Sequence, residues 1–338
     1  MKAVGLYRYL PVTDPEALLD LEIETPSPTG RDLLVKVEAI SVNPVDTKVR
    51  APKPKVEASP RILGWDAAGV VEAVGHECKL FKPGDKVYYA GSITRPGCDS
   101  EFHLVDERIV GHMPEKLSFA DAAALALTTL TAWEALFDRL GISRDGRDGG
   151  KALLILGGAG GVGSIAIQLA REVGHVKVIA TASRPASEQW CRQLGADEVI
   201  NHAEELVPQL KNIGVPQPDF IFCCNNTDQY FDTMALVVAP QGKICSIVET
   251  HQPHNIHALM RKSATFVWEL MFTRAMYGTP DMIAQHKLLN AVAVLIDEGK
   301  LRTTVGDAMG ALNAANLRRA HAKLEAGRTI GKIVLNGF

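Results

Sequence analysis

Charge of one sign is not in excess in this sequence: 36 Lys and Arg stand against 39 Asp and Glu, a formal net charge of −3. That near-balance leaves no electrostatic footprint for nucleic acid or for an anionic membrane surface. No uninterrupted apolar stretch is long enough to span a bilayer. The opening residues 1–8 set Lys2 and Arg8 where the apolar core of a secretory signal would run, so the expected location is the cytoplasm. The six cysteines, Cys78, Cys98, Cys191, Cys223, Cys224 and Cys245, lack C-x-x-C spacing, which argues against a zinc ribbon or a dithiol pair and leaves reduced, mostly structural thiols. His251, His254 and His257 are close in sequence, but Pro253 breaks any single helical face and no carboxylate or thiolate stands at a recognised ligand spacing. A polar loop is expected there. Neither an internal repeat nor a low-complexity tract is present, and 338 residues exceed the usual size of one core, so two domains are expected.

What the sequence does contain is a short apolar run, residues 152–156, then Gly157-Gly-Ala-Gly-Gly-Val-Gly163, then Ile165, Ile167, Leu169, Ala170 and Val173 at near-helical spacing. This reads as strand, tight turn and helix, and residues 176–181 add a second strand, completing a βαβ unit of about thirty residues. Gly158, Gly160 and Gly163 fit G-x-G-x-x-G: the first permits the turn, the second lets backbone approach a pyrophosphate, and the third lets helix pack on strand. A helix N-terminus offers that anion unpaired N–H groups and a positive dipole. The cofactor-binding candidates are therefore Gly158, Ala159, Gly160, Gly161, Val162 and Gly163. A ribose reader belongs roughly twenty residues beyond the last glycine. Ser183 and Arg184 stand there, and residues 176–186 contain no Asp or Glu. A carboxylate would repel a 2′-phosphate, whereas hydroxyl and guanidinium donors suit one, so NADP(H) is the expected cofactor.

Residues 1 to about 118 read as short strands punctuated by Pro and Gly, which suggests a partly open barrel. Asn43 opens a short helix, and residues 51–55 look like a polar, proline-stiffened loop. Ser118 is a plausible N-cap for an alanine-rich helix that marks a domain boundary. Three further apolar strands, near residues 196–201, 219–224 and 242–248, alternate with helical stretches as a doubly wound parallel sheet requires. Their carboxyl ends should carry the cofactor, which brings in Asn225 and Val248. From about residue 264 the chain is expected to return and complete the first domain. The fold expected is thus α/β, with a β-rich barrel domain at 1–122 and 264–338 and a dinucleotide-binding domain at 123–263.

Residues 41–46, 64–75, 81–87, 157–163, 194–197 and 331–335, taken in order, resemble the medium-chain dehydrogenase/reductase superfamily, and within it the zinc-type alcohol dehydrogenase-like, quinone oxidoreductase subfamily. The resemblance implies a GroES-like catalytic domain wrapped around a Rossmann domain, NAD(P)(H) in the cleft, and a homodimer or homotetramer. It also shows a departure: Asn43, Trp65 and Leu127 stand where the zinc enzymes carry their Cys, His and Cys ligands, and the four-cysteine lobe is missing, so no metal is expected. Asp66 alone would bind a divalent ion weakly. Without a Lewis acid, oxidising an alcohol is hard, whereas a quinone or an α,β-unsaturated carbonyl delocalises the charge that hydride brings. The implied activity is zinc-independent, NADPH-dependent reduction of such a quinone or enone. An alcohol dehydrogenase with an unconventional metal and a non-catalytic NADPH-binding protein are the alternatives. Asn43 would donate to substrate or hold the carboxamide, unless it is only a turn asparagine. Asp46 would brace the cleft or cap its helix. Of Tyr88 and Tyr89, alternation sends one inward, and Tyr89 is the candidate proton donor. Thr128, with Thr129 and Thr131, would touch substrate or cofactor or bond back within its helix.

Overall fold

A computed structural model describes residues 1–338, and the chain separates into two compact units, one of residues 1–127 and 272–338, the other of residues 128–271. The first unit opens with β1 (Lys2–Tyr9), β2 (Leu19–Glu22) and β3 (Asp32–Val42), then α1 (Pro44–Arg50) and β4 (Lys53–Ile62). It continues with β5 (Ala67–Val74), β6 (Lys86–Tyr89), β7 (Phe102–Asp106), β8 (Val110–His112) and α2 (Phe119–Ala123). Helix α3 (Ala126–Trp133) runs on into a π-helical turn at Glu134–Arg139. In the second unit β9 (Ala152–Leu156), α4 (Gly161–Glu172), β10 (Lys177–Thr181), α5 (Pro185–Gln193) and β11 (Glu198–Ile200) precede α6 (Leu206–Asn212) and β12 (Phe220–Cys223). Then come α7 (Thr227–Val237), β13 (Lys243–Ser246) and β14 (Thr265–Trp268). The chain returns through α8 (Thr273–Tyr277), α9 (Ile283–Asp297), β15 (Val305–Ala311), α10 (Ala314–Glu325) and β16 (Lys332–Asn336).

In the second unit the strands lie in the order β11-β10-β9-β12-β13-β14, every pair parallel. Every residue of β9 is buried, because helices cover both faces of such a sheet. The fold is α/β with a Rossmann-like parallel sheet, as the alternation of apolar strands and helices implies. The segment 265–268 departs from expectation. It does not return to the barrel but adds the sixth parallel strand, with Lys243 through Ser246 in register with Thr265 through Trp268. A four-residue strand carries too little pattern to reveal its partner.

The first unit holds a seven-stranded sheet, β15-β16-β3-β5-β6-β8 with β7 also paired to β3, and a separate three-stranded sheet β2-β1-β4. Residues 53–55, expected in a loop, belong to β4, and Pro54 and Pro60 are tolerated because β4 is an edge strand with bulged pairing to β1. Tyr88 and Tyr89 also depart from the alternation argument: both are fully buried. Strand β6 is covered on both faces, one of them by α9, where the Tyr88 hydroxyl donates to the Leu289 carbonyl at 2.7 Å. No helix is long and apolar enough to cross a membrane.

That hydroxyl is the polar tie between β6 and α9. Tyr88→Phe should cost about 0.5–1.5 kcal/mol in urea unfolding, since the Leu289 carbonyl loses one of its donors in a dry setting. An unchanged midpoint would show the bond to be idle.

Candidate active site

The first unit's candidates meet where β3 ends. Asn43 follows β3 in extended conformation, Pro44 takes the first helical position, and Asp46 falls one turn in, where its Oδ2 accepts from the Asn43 backbone N–H at 2.6 Å. Strand β16 runs antiparallel to β3 with Ile333 opposite Val42, which brings Lys332 against Asn43. The Lys332 ammonium donates to the Val42 carbonyl at 3.0 Å and to Asn43 Oδ1, and pairs with Asp66 Oδ2 at 3.1 Å. Asn43 Nδ2 in turn donates to Asp66 Oδ2 at 3.1 Å and to the Ser41 carbonyl at 3.2 Å. Asp66 Oδ1 accepts from the Leu127 backbone N–H at 3.0 Å. None of Asn43, Asp46, Asp66 or Lys332 is more than 3% exposed.

Charge balance explains the titration of this group. Two buried carboxyls face one ammonium, and Asp66 takes it. Burial pushes the Asp46 carboxyl up to about 7, against the opposing pull of the Asn43 N–H and Lys332, and its Oδ1 has no hydrogen-bond partner. Burial also raises the Asp66 carboxyl, opposed chiefly by Lys332. Asn43 spends its amide oxygen and both amide hydrogens within the protein, so it is a brace here rather than an open donor.

Tyr89 is placed similarly. The His103 Nε2–H donates to the Pro96 carbonyl at 3.0 Å, which makes Nδ1 the acceptor and the Tyr89 hydroxyl the donor across 3.1 Å. Burial holds His103 down to about 4, so the ring stays neutral, and the Tyr89 proton is committed to it. Trp65 is 1% exposed and donates its indole N–H to the Ser92 carbonyl at 3.0 Å, forming a wall edge-on to Phe272. Asp99, which no motif singles out, is buried with both carboxyl oxygens unpartnered, and burial raises its carboxyl well above the usual carboxylate range.

This donor set does not fit zinc. Trp65 and Leu127 have no ligating side-chain atom, the Asn43 amide is spent, and Asp66 is tied to Lys332. Asp66 does by hydrogen bonding what a metal would do by coordination, joining Asn43 to the Leu127 backbone. His251, His254 and His257 are not gathered either. His254 Nε2 pairs with Asp228 Oδ1 at 2.7 Å and its ring stacks on Phe231, while His251 and His257 are exposed.

The second unit holds the remaining candidates. Gly157 has φ +89°, so the turn requirement falls on it rather than on Gly158. Gly158 answers a packing need: a Cβ there would lie 2.8 Å from the Ala180 Cβ. At Gly163 a Cβ would lie 2.3 Å from the Gly157 carbonyl, so glycine alone lets α4 sit on the turn. At Gly160 it would meet nothing nearer than 3.6 Å, which leaves the space before α4 open. The first-turn N–H groups of α4, from Gly161, Val162 and Gly163, face an intrahelical vacancy as in any helix start. With Ala159 they form a fit cradle for a pyrophosphate.

Gly157 N–H donates to Thr181 Oγ1 at 3.0 Å and Gly158 N–H to the Thr181 carbonyl at 3.1 Å, which fixes the turn beside the end of β10. Ser183 and Arg184 follow, both exposed. Burial first, and also the charge of Arg184, lowers the His202 imidazole that follows β11, a neighbour no motif announces. Asn225 is exposed beside Gly157, whose Cβ would lie 3.2 Å from that of Asn225. The Val248 carbonyl accepts from Thr227 Oγ1. Thr128, in α3, is buried at 2% exposure.

A glycine turn on a parallel sheet in one unit and a buried polar network in a β-rich second unit are the features of a two-domain dehydrogenase/reductase. Residues 29–124 match the alcohol dehydrogenase GroES-like domain and residues 194–335 the zinc-binding dehydrogenase family. A zinc-type alcohol dehydrogenase-like protein of Staphylococcus aureus is 44% identical over 99% of this chain and 100% of its own. A structure from Rhizobium etli CFN 42 carrying a provisional zinc-dependent alcohol dehydrogenase name is 50% identical, with TM-score 0.96 over 100% of this chain and 98% of that one. The Escherichia coli quinone oxidoreductase complexed with NADPH is 27% identical, with TM-score 0.83 over 99% and 100%. The chain belongs to the medium-chain dehydrogenase/reductase superfamily, in its quinone oxidoreductase-like branch.

Removing the ammonium strands Asp66. Lys332→Met should destabilise the protein by about 3–5 kcal/mol in urea unfolding, and adding Asp66→Asn should restore much of that loss. A single variant within about 0.5 kcal/mol of wild type would show the network to be dispensable.

Proposed function

We propose that this oxidoreductase uses NADPH to reduce quinones or α,β-unsaturated carbonyl compounds without zinc. The observation that carries this reading is the open glycine turn before α4, with Ser183 and Arg184, and no carboxylate, at the end of β10. The quinone oxidoreductase relative that binds NADPH supports the same cofactor and substrate class.

Bound NADPH supplies a hydride, and the residues here do the holding. The α4 N-terminus and residues 158–163 take the pyrophosphate, and Ser183 and Arg184 take the 2′-phosphate. A conjugated acceptor takes hydride at carbon and spreads the charge to its own oxygen, where a proton from solvent completes the reduction. The Asn43, Asp66 and Lys332 network keeps its part of the barrel fixed without a metal. A second reading, a cofactor-binding protein without turnover, is favoured by one fact: Asn43 and Tyr89 both spend their hydrogens internally. Steady-state turnover of NADPH with a panel of small quinones and enones separates the two readings, and silence across that panel with cofactor binding intact would favour the second.

Cofactor choice is tested directly by titration. NADPH should bind more tightly than NADH, and Arg184→Ala should weaken NADPH by roughly ten- to hundredfold while leaving NADH nearly unchanged. Equal wild-type affinities, or a loss shared by both cofactors, would place the ribose end elsewhere.

A further inference from the structure

The chain beside Ser183 and Arg184 holds a histidine that the cofactor reading does not use. Strands β10 and β11 run parallel with Thr181 opposite Ile200, and the Ala182 N–H donates to the Ile200 carbonyl at 3.0 Å. The two segments therefore leave the sheet side by side. His202 follows Ile200 by the same two residues by which Ser183 follows Thr181, which brings Ser183, Arg184 and His202 to one corner of the sheet. Both segments are pinned there. The Ser187 hydroxyl accepts from the Arg184 N–H at 3.2 Å and donates to the Arg184 carbonyl at 2.8 Å. Gln209 of α6 accepts from the Asn201 N–H at 2.8 Å and donates to the Asn201 carbonyl at 2.8 Å, while Asn201 Oδ1 accepts from the Ala203 N–H at 3.0 Å. His202 thus sits in a fixed turn. Its Nδ1 is buried without a hydrogen-bond partner although the residue as a whole is half-buried, so the open side of the ring carries Nε2. A buried nitrogen left without a partner costs stability, and the fold alone does not explain why an imidazole stands here.

Arg184 is the charged side chain that acts on the ring. Glu204 of the same turn is engaged by Asn201 Nδ2 at 2.9 Å, and Glu205, before α6, is exposed. Burial first, and then Arg184, lowers the imidazole from its ordinary 6.5, so the protein without cofactor holds a guanidinium beside a ring that resists a second positive charge. We propose that His202 is a third ligand of the 2′-phosphate, with Ser183 and Arg184, and that NADPH binding charges it by bringing a proton from solvent. This rests on the cofactor reading for the place of the phosphate. A phosphate of charge roughly −1.5 to −2 beside the ring reverses the field there. It favours the imidazolium, whose N–H then donates to a phosphate oxygen. NADH has no such group and leaves the ring neutral.

The sign follows. The ring without cofactor is charged only below its lowered value, whereas the phosphate-bound ring stays charged to a higher pH. Between the two, binding takes up a proton, so NADPH affinity falls as pH rises through that window, by at most about tenfold per pH unit. Below it the ring is charged in both states, above it neutral in both, and the slope vanishes. Calorimetric titration in two buffers of different ionisation heat counts the proton directly. The phosphate's own second ionisation, near pH about 6, acts equally on wild type and on His202→Gln, which keeps a donor but cannot charge, so the two are read against each other. At about pH 7 wild type should take up more protons per NADPH than His202→Gln, by up to about one, and no more per NADH. At about pH 6 the variant should bind NADPH roughly tenfold more weakly than wild type, with NADH unchanged. His202→Lys, always charged, should bind NADPH at least as tightly as wild type at about pH 8 and add no proton of its own. Equal proton counts and parallel pH curves for wild type and both variants, with NADPH still preferred and that preference lost in Arg184→Ala, would overturn the role of His202 alone. No preference for NADPH in wild type at any pH would sink the cofactor reading and this inference together.

Discussion

An ammonium buried to 3% exposure is tolerable only if oxygen atoms surround it, and Lys332 is the group around which one end of the barrel unit is arranged. Two segments far apart in sequence supply those oxygens, the Val42 carbonyl and Asn43 at the end of β3 and Asp66 before β5, while the ammonium itself comes from β16 at the far end of the chain. Asp66 then reaches the Leu127 backbone. Asn43 and Leu127, two of the three positions at which the family resemblance places zinc ligands, are joined here through Asp66, while Trp65 donates to the Ser92 carbonyl instead. The chain thereby keeps the architecture of a zinc enzyme with a donor set that does not suit zinc.

The barrel unit meets an electrostatic difficulty at this point. Asp46 and Asp66 face one ammonium, Lys332. Asp66 takes the cation, and burial lifts the Asp46 carboxyl to about 7. A proton is the remaining counter-charge there.

The sequence was most legible where function is local. The strand, turn and helix around residues 152–173 are set by contiguous periodicity, and the absence of an acid in residues 176–186 is visible without any tertiary knowledge. The glycine roles were legible as a set but shifted by one, since positive φ belongs to Gly157 and close packing to Gly158. The network was not legible. Lys332 sits in a strand whose next residues, Ile333, Val334 and Leu335, read as core, and a lysine at the start of such a strand is ordinarily a solvated end. Only its pairing with β3 turns it inward. Asn43 and Tyr89 carried the right chemistry, but donors are usable only when unspent, and spending depends on Lys332, Asp66 and His103, brought in by the fold. Strand β14 escaped for a related reason: four residues in a parallel sheet take their meaning from a neighbour in the fold, not from their own pattern.

The central claim, hydride delivery to a conjugated acceptor without a metal, is tested most directly with NADPH deuterated at its transferable position. Chelator-treated protein would be given a small enone and the product read by mass spectrometry and NMR. Deuterium is expected at the carbon β to the carbonyl, delivered at the same rate before and after chelation. Product without deuterium, or transfer that stops on chelation and resumes when zinc is returned, would contradict it.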